Sequence, residues 1–135
     1  MNSVTRLLAL DIGNRRTGVA FAEVKAGFVM ALDTLRHASE ESLLDQVGSL
    51  VKQRGITELI IGLPRLPQGG EGSQAGKIRM LAAQLETELS LKVTLVDERY
   101  TSMTREKGID PDAQAACALL SVVLDQRKRE EEKIQ

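Results

Sequence analysis

The chain has 135 residues, with 18 Lys and Arg against 19 Asp and Glu, and a formal net charge of −1 at pH 7. Its hydrophobic fraction of 42% and charged fraction of 27% are close to average globular usage, which excludes disordered and fibrous proteins. The near-neutral balance argues against a constitutive histone-like nucleic-acid binder but leaves room for a local basic face. The length fits one domain over residues 1–135.

The single cysteine, Cys117, cannot form an intrachain disulfide and cannot by itself build a zinc site, so a reducing compartment is expected. The longest apolar run, Leu7 to Leu10, is too short to span a bilayer, and the first residues lack the apolar region of a signal peptide. We therefore expect a soluble, cytoplasmic protein with no membrane partner.

The first third of the chain has strand patterns. Leu7 to Leu10 is a continuous apolar run that ends at Asp11, which is typical of a strand buried on both faces. Thr17 to Glu23 alternates between two faces and predicts a second strand, antiparallel to the first. Phe28 to Leu35 is predicted to be a third strand. His37 follows it without a nearby second ligand and is expected at the surface.

From Glu40 the apolar period becomes helical, and Gly55 is predicted to cap the end of this helix. The remaining predicted elements are a buried strand from Glu58 to Gly62, a helix marked by Ile78, Leu81, Leu85 and Leu89, a strand from Lys92 to Val96, and a helix starting at Asp110, Pro111 and Asp112 with Asp110 as N-cap. The inward stripe of the last helix is predicted to be Ala115, Ala116, Leu119 and Val123. The charged tail, about residues 126–135, is expected to be solvated or frayed.

This order of elements predicts an α/β fold with a mixed five-stranded sheet. The three early strands are joined by hairpin-length turns and must be antiparallel, whereas the later strands, separated by helices, must be parallel. The helices are then expected to cover both faces of the sheet.

Three acidic residues stand at positions where a site can form. Asp11 ends the first strand, Glu98 follows the fifth, and Asp112 opens the last helix on its inward side. Sites in open α/β sheets lie beyond the carboxyl ends of the strands, so these acids can converge there. Carboxylate groups hold Mg²⁺ or Mn²⁺, and two such ions can activate a water and stabilise the leaving oxygen of a phosphodiester.

Each acid also has a simpler interpretation. Asp11 before Gly13 suits a turn. Asp112 can merely complement the helix dipole. Glu98, within Asp97-Glu98-Arg99, can belong to a surface ion-pair cluster. Their spacing alone does not decide between these uses and a metal site.

Four segments in order, LALDIGNRRTGVAFAE, IIGLPRLPQGGEGSQAGKIRM, VTLVDERYTS and DAQAACALL, resemble the YqgF family of RNase H-like nucleases, and the match spans nearly the whole chain. Members are described as Holliday junction resolvases and as nucleases of ribosomal RNA precursors. The resemblance implies an RNase H-like sheet and a metal-binding catalytic triad of Asp11, Glu98 and Asp112. It favours Asp112 over Asp110, because the family's last aspartate precedes a pair of alanines.

The sequence departs from the family pattern after Glu98. Only 13 residues separate Glu98 from Asp112, where members usually carry a longer helical segment with extra basic residues. This segment has room for a short helix, roughly Ser102 to Lys107. We therefore expect the departure to affect substrate binding more than the catalytic triad. Arg65 stands where an aliphatic or small polar residue is expected.

Basic residues flank the predicted acidic centre. From Gly62 to Leu81 the net charge is +2. The candidate nucleic-acid-binding residues are Arg15, Arg16, Arg65, Lys77, Arg79, Arg99 and Arg105, with Tyr100 as a base-stacking candidate. The alternatives are ordinary surface charges and, for Tyr100, a packing role. Three glycines, Gly13, Gly18 and Gly62, are predicted where backbone or substrate passes close.

Three functions are compatible with these features. The first is a metal-dependent endonuclease or exonuclease that acts on RNA or DNA in ribosomal RNA processing, Holliday junction resolution or DNA repair. The second is a sugar-kinase or chaperone-type ATPase, since DIG before a GVA strand resembles a phosphate-binding hairpin, but such enzymes need two similar domains. The third is a non-catalytic or weakly catalytic nucleic-acid-binding or ribosome-associated module. A resolvase making two symmetric cuts would be expected to be a homodimer.

Overall fold

The computed structural model describes residues 4–98 and 108–134. Their strands are β1 (Arg6–Ile12), β2 (Arg16–Glu23), β3 (Phe28–Ala31), β4 (Leu35–Arg36), β5 (Glu58–Leu63) and β6 (Lys92–Asp97). Their helices are α1 (Glu40–Arg54), α2 (Ser73–Leu89) and α3 (Pro111–Ile134). Among these residues, no helix is both long and apolar enough to span a bilayer.

The strands form one mixed sheet in the order β3-β2-β1-β5-β6. β1 is antiparallel to β2 and parallel to β5, and β5 is parallel to β6. The predicted α/β class and mixed sheet are confirmed. The predicted third strand, Phe28 to Leu35, is in fact two strands, β3 and β4, which both pair with β2. The described sheet therefore has six strands rather than five, although they occupy five main positions.

Helices cover both faces of the sheet, as predicted. Leu8 and Leu10 point to one face, where they pack with α1 and α2, for example with Leu43. Leu7 and Ala9 point to the other face and pack with α3. The alternation explains why the run from Leu7 to Leu10 is continuously apolar, since both faces of β1 are buried.

The ends of two helices follow the predicted capping pattern. Ser39 accepts a hydrogen bond from the Ser42 backbone N–H at the start of α1, and Gly55 ends the helix in the left-handed conformation, with φ of 60°. At the start of α3, Asp110 accepts a hydrogen bond of 3.0 Å from the Asp112 backbone N–H. The predicted capping roles of Gly55 and Asp110 are confirmed, and the Asp110 bond orients the first turn of α3.

Two predictions for the last helix are only partly right. The tail is solvated, since residues 128–133 are exposed, but it is not frayed, because α3 continues to Ile134 and Arg127 pairs with Glu58 of β5 at 2.5 Å. The inward stripe includes Ala113 and Leu120 rather than the half-buried Ala115. The other three members of the predicted stripe are buried, namely Ala116, Leu119 and Val123.

Candidate active site

Two of the three predicted acids meet at one edge of the sheet. Asp11 is the penultimate residue of β1, which ends at Ile12, one residue later than predicted, and Glu98 directly follows β6. β5 separates these strands, and it ends near Gly62. A Cβ added to Gly62 would lie 2.9 Å from Glu98 Oε1. The missing side chain therefore leaves the space through which Glu98 reaches across β5 to Asp11.

The side chains of Asp11 and Glu98 are joined by a hydrogen bond. Burial, the Asp11 charge and the hydrogen bond to Asp11 together raise the pKa of Glu98 to about 7. Burial also raises the pKa of Asp11, although the bond from Glu98 opposes this. Two adjacent, half-buried carboxylates repel each other, so below about pH 7 Glu98 holds a proton and donates it to Asp11.

The third acid, Asp112, lies beside this pair in the first turn of α3. Its charge contributes to the raised pKa of Asp11. However, Asp112 Oδ2 lies 3.3 Å from Arg16 Nε, and among the described residues no group donates a hydrogen bond to this buried oxygen. A poorly compensated buried oxygen close enough to act on Asp11 is a suitable donor atom for a cation.

The carboxyl pair fits a divalent cation, but the complete triad is not assembled. Within residues 4–98 and 108–134, no three His, Cys, Asp or Glu side chains are close enough together to hold a metal ion. The donor chemistry nevertheless suits Mg²⁺ or Mn²⁺, because a hard cation prefers carboxylate oxygens and would replace the proton shared by Asp11 and Glu98. Asp112 would have to turn from Arg16 to become a third ligand.

The three glycines predicted at close approaches do occupy such positions. A Cβ on Gly13 would lie 2.7 Å from the Arg16 carbonyl oxygen, and one on Gly18 would lie 1.8 Å from the Asp112 carbonyl oxygen. Gly18 pairs with Asp11 across the β1–β2 ladder. Together with Gly62, these residues let the backbone and Glu98 crowd around the carboxyl site.

The predicted basic residues are not equally available to a substrate. Arg65 Nε bonds Asp97 Oδ2 at 2.9 Å, and Arg79 makes two hydrogen bonds of 2.8 and 2.6 Å to Glu71. Arg65 Nη1 also lies 3.7 Å from Glu71. These pairs link the loop before α2 to the end of β6, so the net positive charge counted in this segment is largely compensated.

Three other predicted basic residues are exposed. Arg15 and Arg16 follow β1 and line an open cleft with Arg36 and His37. Lys77, on α2, lines a neighbouring cavity. The remaining predictions, Arg99, Arg105 and the stacking role of Tyr100, lie outside the described residues, as does the short helix predicted from Ser102 to Lys107.

Two residues near the site were missed or misjudged from the sequence. His37 is buried rather than exposed, and its Nε2 lies 2.8 Å from the buried Thr17 hydroxyl oxygen. Arg36 pairs with Arg16 across β2 and β4. Arg36 could have been identified from its position in a second strand that returns to β2. The prediction of one strand from Phe28 to Leu35 did not include that return.

A mixed sheet with helices on both faces and a carboxyl pair at the ends of two strands agrees with the RNase H-like fold that the sequence resemblance implies. A family model described as "RuvX: Holliday junction resolvase" matches residues 5–126. The chain belongs to this family, also called YqgF, and thus to a family of nucleases. This membership confirms the resemblance drawn from the sequence and favours the nuclease hypothesis over the ATPase one.

Two relatives are similar to this chain over most of their own length. One from Chloroflexus aurantiacus is 35% identical over an alignment of 134 positions, gaps included, which covers 90% of this chain and 88% of the relative. One from Chloroflexus aggregans is 35% identical over an alignment of 140 positions, gaps included, which covers 95% of this chain and 98% of the relative. Both are named "Putative pre-16S rRNA nuclease". The Thermus thermophilus RuvC structure superposes with a TM-score of 0.69 at 9% identity, over 92% of this chain and 96% of that chain, which supports the shared fold.

Proposed function

We propose that the protein is a hydrolase, a divalent-metal-dependent nuclease that cleaves phosphodiester bonds in RNA or DNA. The observation that carries this proposal is the hydrogen-bonded pair of Asp11 and Glu98 at the sheet edge, with Asp112 beside it. A buried carboxyl pair with a raised pKa costs folding stability, and such arrangements cluster at functional sites.

In this proposal, Asp11, Glu98 and Asp112 are the catalytic residues and metal ligands. Bound Mg²⁺ or Mn²⁺, as one ion or two, would supply Lewis-acid activation of water and neutralise charge on the phosphate. To hold the ion, Glu98 would have to lose its proton and Asp112 would have to give up its contact with Arg16. The exposed Arg15, Arg16 and other basic residues hold the phosphate backbone of the substrate.

The natural substrate follows from the relatives by analogy. Proteins 35% identical to this chain are named for pre-16S rRNA, so we favour ribosomal RNA precursor processing. The family description also names Holliday junctions, and symmetric cutting of a junction would require a homodimer. Sedimentation of the protein with and without a junction therefore accompanies the cleavage assay.

The proposal is tested by incubating end-labelled single-stranded RNA, single-stranded DNA and a four-way junction with EDTA, Mg²⁺ or Mn²⁺. Wild type is compared with Asp11→Asn, Glu98→Gln and the control Asp45→Asn, which changes an exposed carboxylate on α1. Metal-dependent cleavage by wild type and the control, lost in both site variants, is expected. Cleavage by Asp11→Asn at the wild-type rate would contradict the triad assignment.

A second function, a weakly catalytic or non-catalytic nucleic-acid-binding module, is favoured by one observation. Asp112 contacts Arg16 at 3.3 Å, and the described residues contain no assembled three-carboxylate group. In that case wild type would bind the same nucleic acids without cutting them, and Asp11→Asn would bind equally well.

A further inference from the structure

An open cleft of about 690 Å³ lies beside the carboxyl site. The turn between β1 and β2 forms one side of it, and β4 with the residues after it forms the other. Its lining residues are Arg15, Arg16, Arg36, His37 and Ala38. None of these is acidic, so three guanidinium groups face one space that is large enough for a phosphate and its sugar.

The backbone register places two of these charges directly opposite each other. Arg16 on β2 pairs with Arg36 on β4. Like charges at opposite positions of an antiparallel pair are destabilising, so the free protein maintains an unfavourable arrangement. Among the described residues, neither Arg15 nor Arg36 forms an ion pair within 4.0 Å, whereas Arg16 contacts Asp112. An anion between the arginines would relieve their repulsion.

Acidic groups approach this cleft from the start of α3. Asp112 lies 3.3 Å from Arg16, and Asp110, which accepts a hydrogen bond from Thr34, is near enough for the charges of Arg16 and Arg36 to act on it. Asp112 also acts on Asp11 through its charge, so it connects the cleft to the carboxyl site. A phosphate in the cleft would thus be adjacent to the carboxyl site.

The wall of the cleft is held in place by hydrogen bonds. The His37 side chain is buried and bonds Thr17, and its backbone N–H donates to the Arg15 carbonyl oxygen at 3.0 Å. His37 and Ala38 also line a second cavity of about 210 Å³, which includes Lys77. The polar surface therefore continues from the arginines towards α2, further than a single phosphate extends.

We propose that Arg36 joins Arg15 and Arg16 in binding a phosphodiester group of the substrate backbone, next to the phosphate that is cut. Arginine suits this role because its planar guanidinium donates paired hydrogen bonds to phosphate oxygens. The proposal rests on the proposed nuclease function, and it adds a substrate-binding residue from β4 that the sequence motifs do not include.

The test measures binding of a fluorescent single-stranded RNA in EDTA, by anisotropy at several salt concentrations. Arg36→Ala is expected to weaken binding roughly 10-fold. It should also reduce the slope of log affinity against log salt by about 0.7, the value for one lost phosphate contact on a single strand. Arg36→Lys should bind with intermediate affinity. Lys52→Ala, which removes an exposed charge on α1, should match wild type.

A second arm distinguishes a nucleic-acid backbone from free phosphate. Inorganic phosphate is added to wild type and Arg36→Ala, and the melting temperature is recorded. Arg36→Ala should melt no lower than wild type without ligand, because it removes a like-charge pair, so a folding defect is detected directly. Stabilisation of wild type by phosphate together with unchanged RNA binding by Arg36→Ala would overturn the proposal in favour of a free-phosphate site.

Two further outcomes distinguish a failure of the cleft assignment from a failure of the nuclease proposal. If wild type cleaves RNA and Arg36→Ala binds it with wild-type affinity and salt slope, the cleft assignment is wrong and the nuclease stands. If Arg36→Ala loses affinity while no protein cleaves any substrate, the cleft assignment stands and the nuclease proposal fails.

Discussion

The Asp112 carbonyl oxygen lies directly over Gly18, at 1.8 Å from where a Cβ on that glycine would be. Gly18 is also the ladder partner of Asp11. One glycine therefore allows the first turn of α3 to approach β1 closely enough for Asp112 to influence Asp11.

Gly18→Ala should displace the start of α3, since no side chain can occupy that space. We expect a loss of about 1 to 3 kcal/mol in the free energy of unfolding, typical of overpacking, and reduced cleavage. Urea unfolding measures the first effect. Gly76→Ala is the control, because nothing lies within 4 Å of its Cβ position in α2. It should leave stability unchanged or raise it by about 1 kcal/mol, and equal behaviour of the two variants would refute this account.

Arg16→Gln should raise the affinity of the free protein for Mn²⁺. The change frees Asp112 from its contact at 3.3 Å, and the gain should be at most about 5-fold, because an ion pair with an exposed arginine is worth about 1 kcal/mol or less. The same variant should bind RNA more weakly. Calorimetry with Mn²⁺ checks the first effect, and a lower Mn²⁺ affinity would contradict the competition between Arg16 and the metal.

The Thr17 hydroxyl and His37 should depend on each other for stability. Thr17 is fully buried and lies 2.8 Å from His37 Nε2, so His37→Ala leaves a buried hydroxyl without its partner. We expect a cost of about 2 kcal/mol. Adding Thr17→Val removes that hydroxyl, so the double variant should be more stable than His37→Ala alone. A double variant with fully additive losses would show that the bond contributes nothing.

A buried ion pair at the far end of the sheet should make stability pH-dependent. Burial raises the pKa of Glu58, but hydrogen bonds from Arg127 and Thr94 and nearby positive charges outweigh it, so the net pKa is lowered from 4.5. The ionised form is therefore favoured by folding. This contribution is present above about pH 4.5, the value for the unfolded chain, and is lost as the pH falls through the lower folded value.

Glu58→Gln should flatten this acid dependence in urea unfolding between pH 3 and 5. Arg127→Ala should cost about 2 kcal/mol at pH 7, since it leaves a buried carboxylate with fewer partners. Arg129→Ala provides the comparison, because Arg129 and its partner Asp125 are both exposed, at 72% and 61%. An equal loss in the two arginine variants would argue against a special role for Glu58.

The strand ends and the acids were predictable because they depend on local patterns. The apolar run before Asp11 and the strand before Glu98 each mark where a parallel strand stops, and parallel strands end at one edge. The burial of His37 was not predictable in this way. Its partner Thr17 is 20 positions away on another strand, and no local pattern marks the pair.

Charge compensation across loops was equally hidden from the sequence. Glu71 was counted as one acid against three bases, but it contacts both Arg65 and Arg79, and Asp97 holds Arg65 as well. Such pairings depend on tertiary distances, which a net charge does not contain. For the same reason, the sequence placed Asp112 near the site but could not indicate its contact with Arg16.

The central claim is that the Asp11 and Glu98 pair is a metal centre. The most direct test is calorimetric titration of Mn²⁺ into wild type, Glu98→Gln and Asp45→Asn at pH 8, where Glu98 is ionised. We predict binding by wild type and Asp45→Asn, and more than about 10-fold weaker binding by Glu98→Gln. Equal Mn²⁺ affinity for Glu98→Gln and wild type would contradict the assignment.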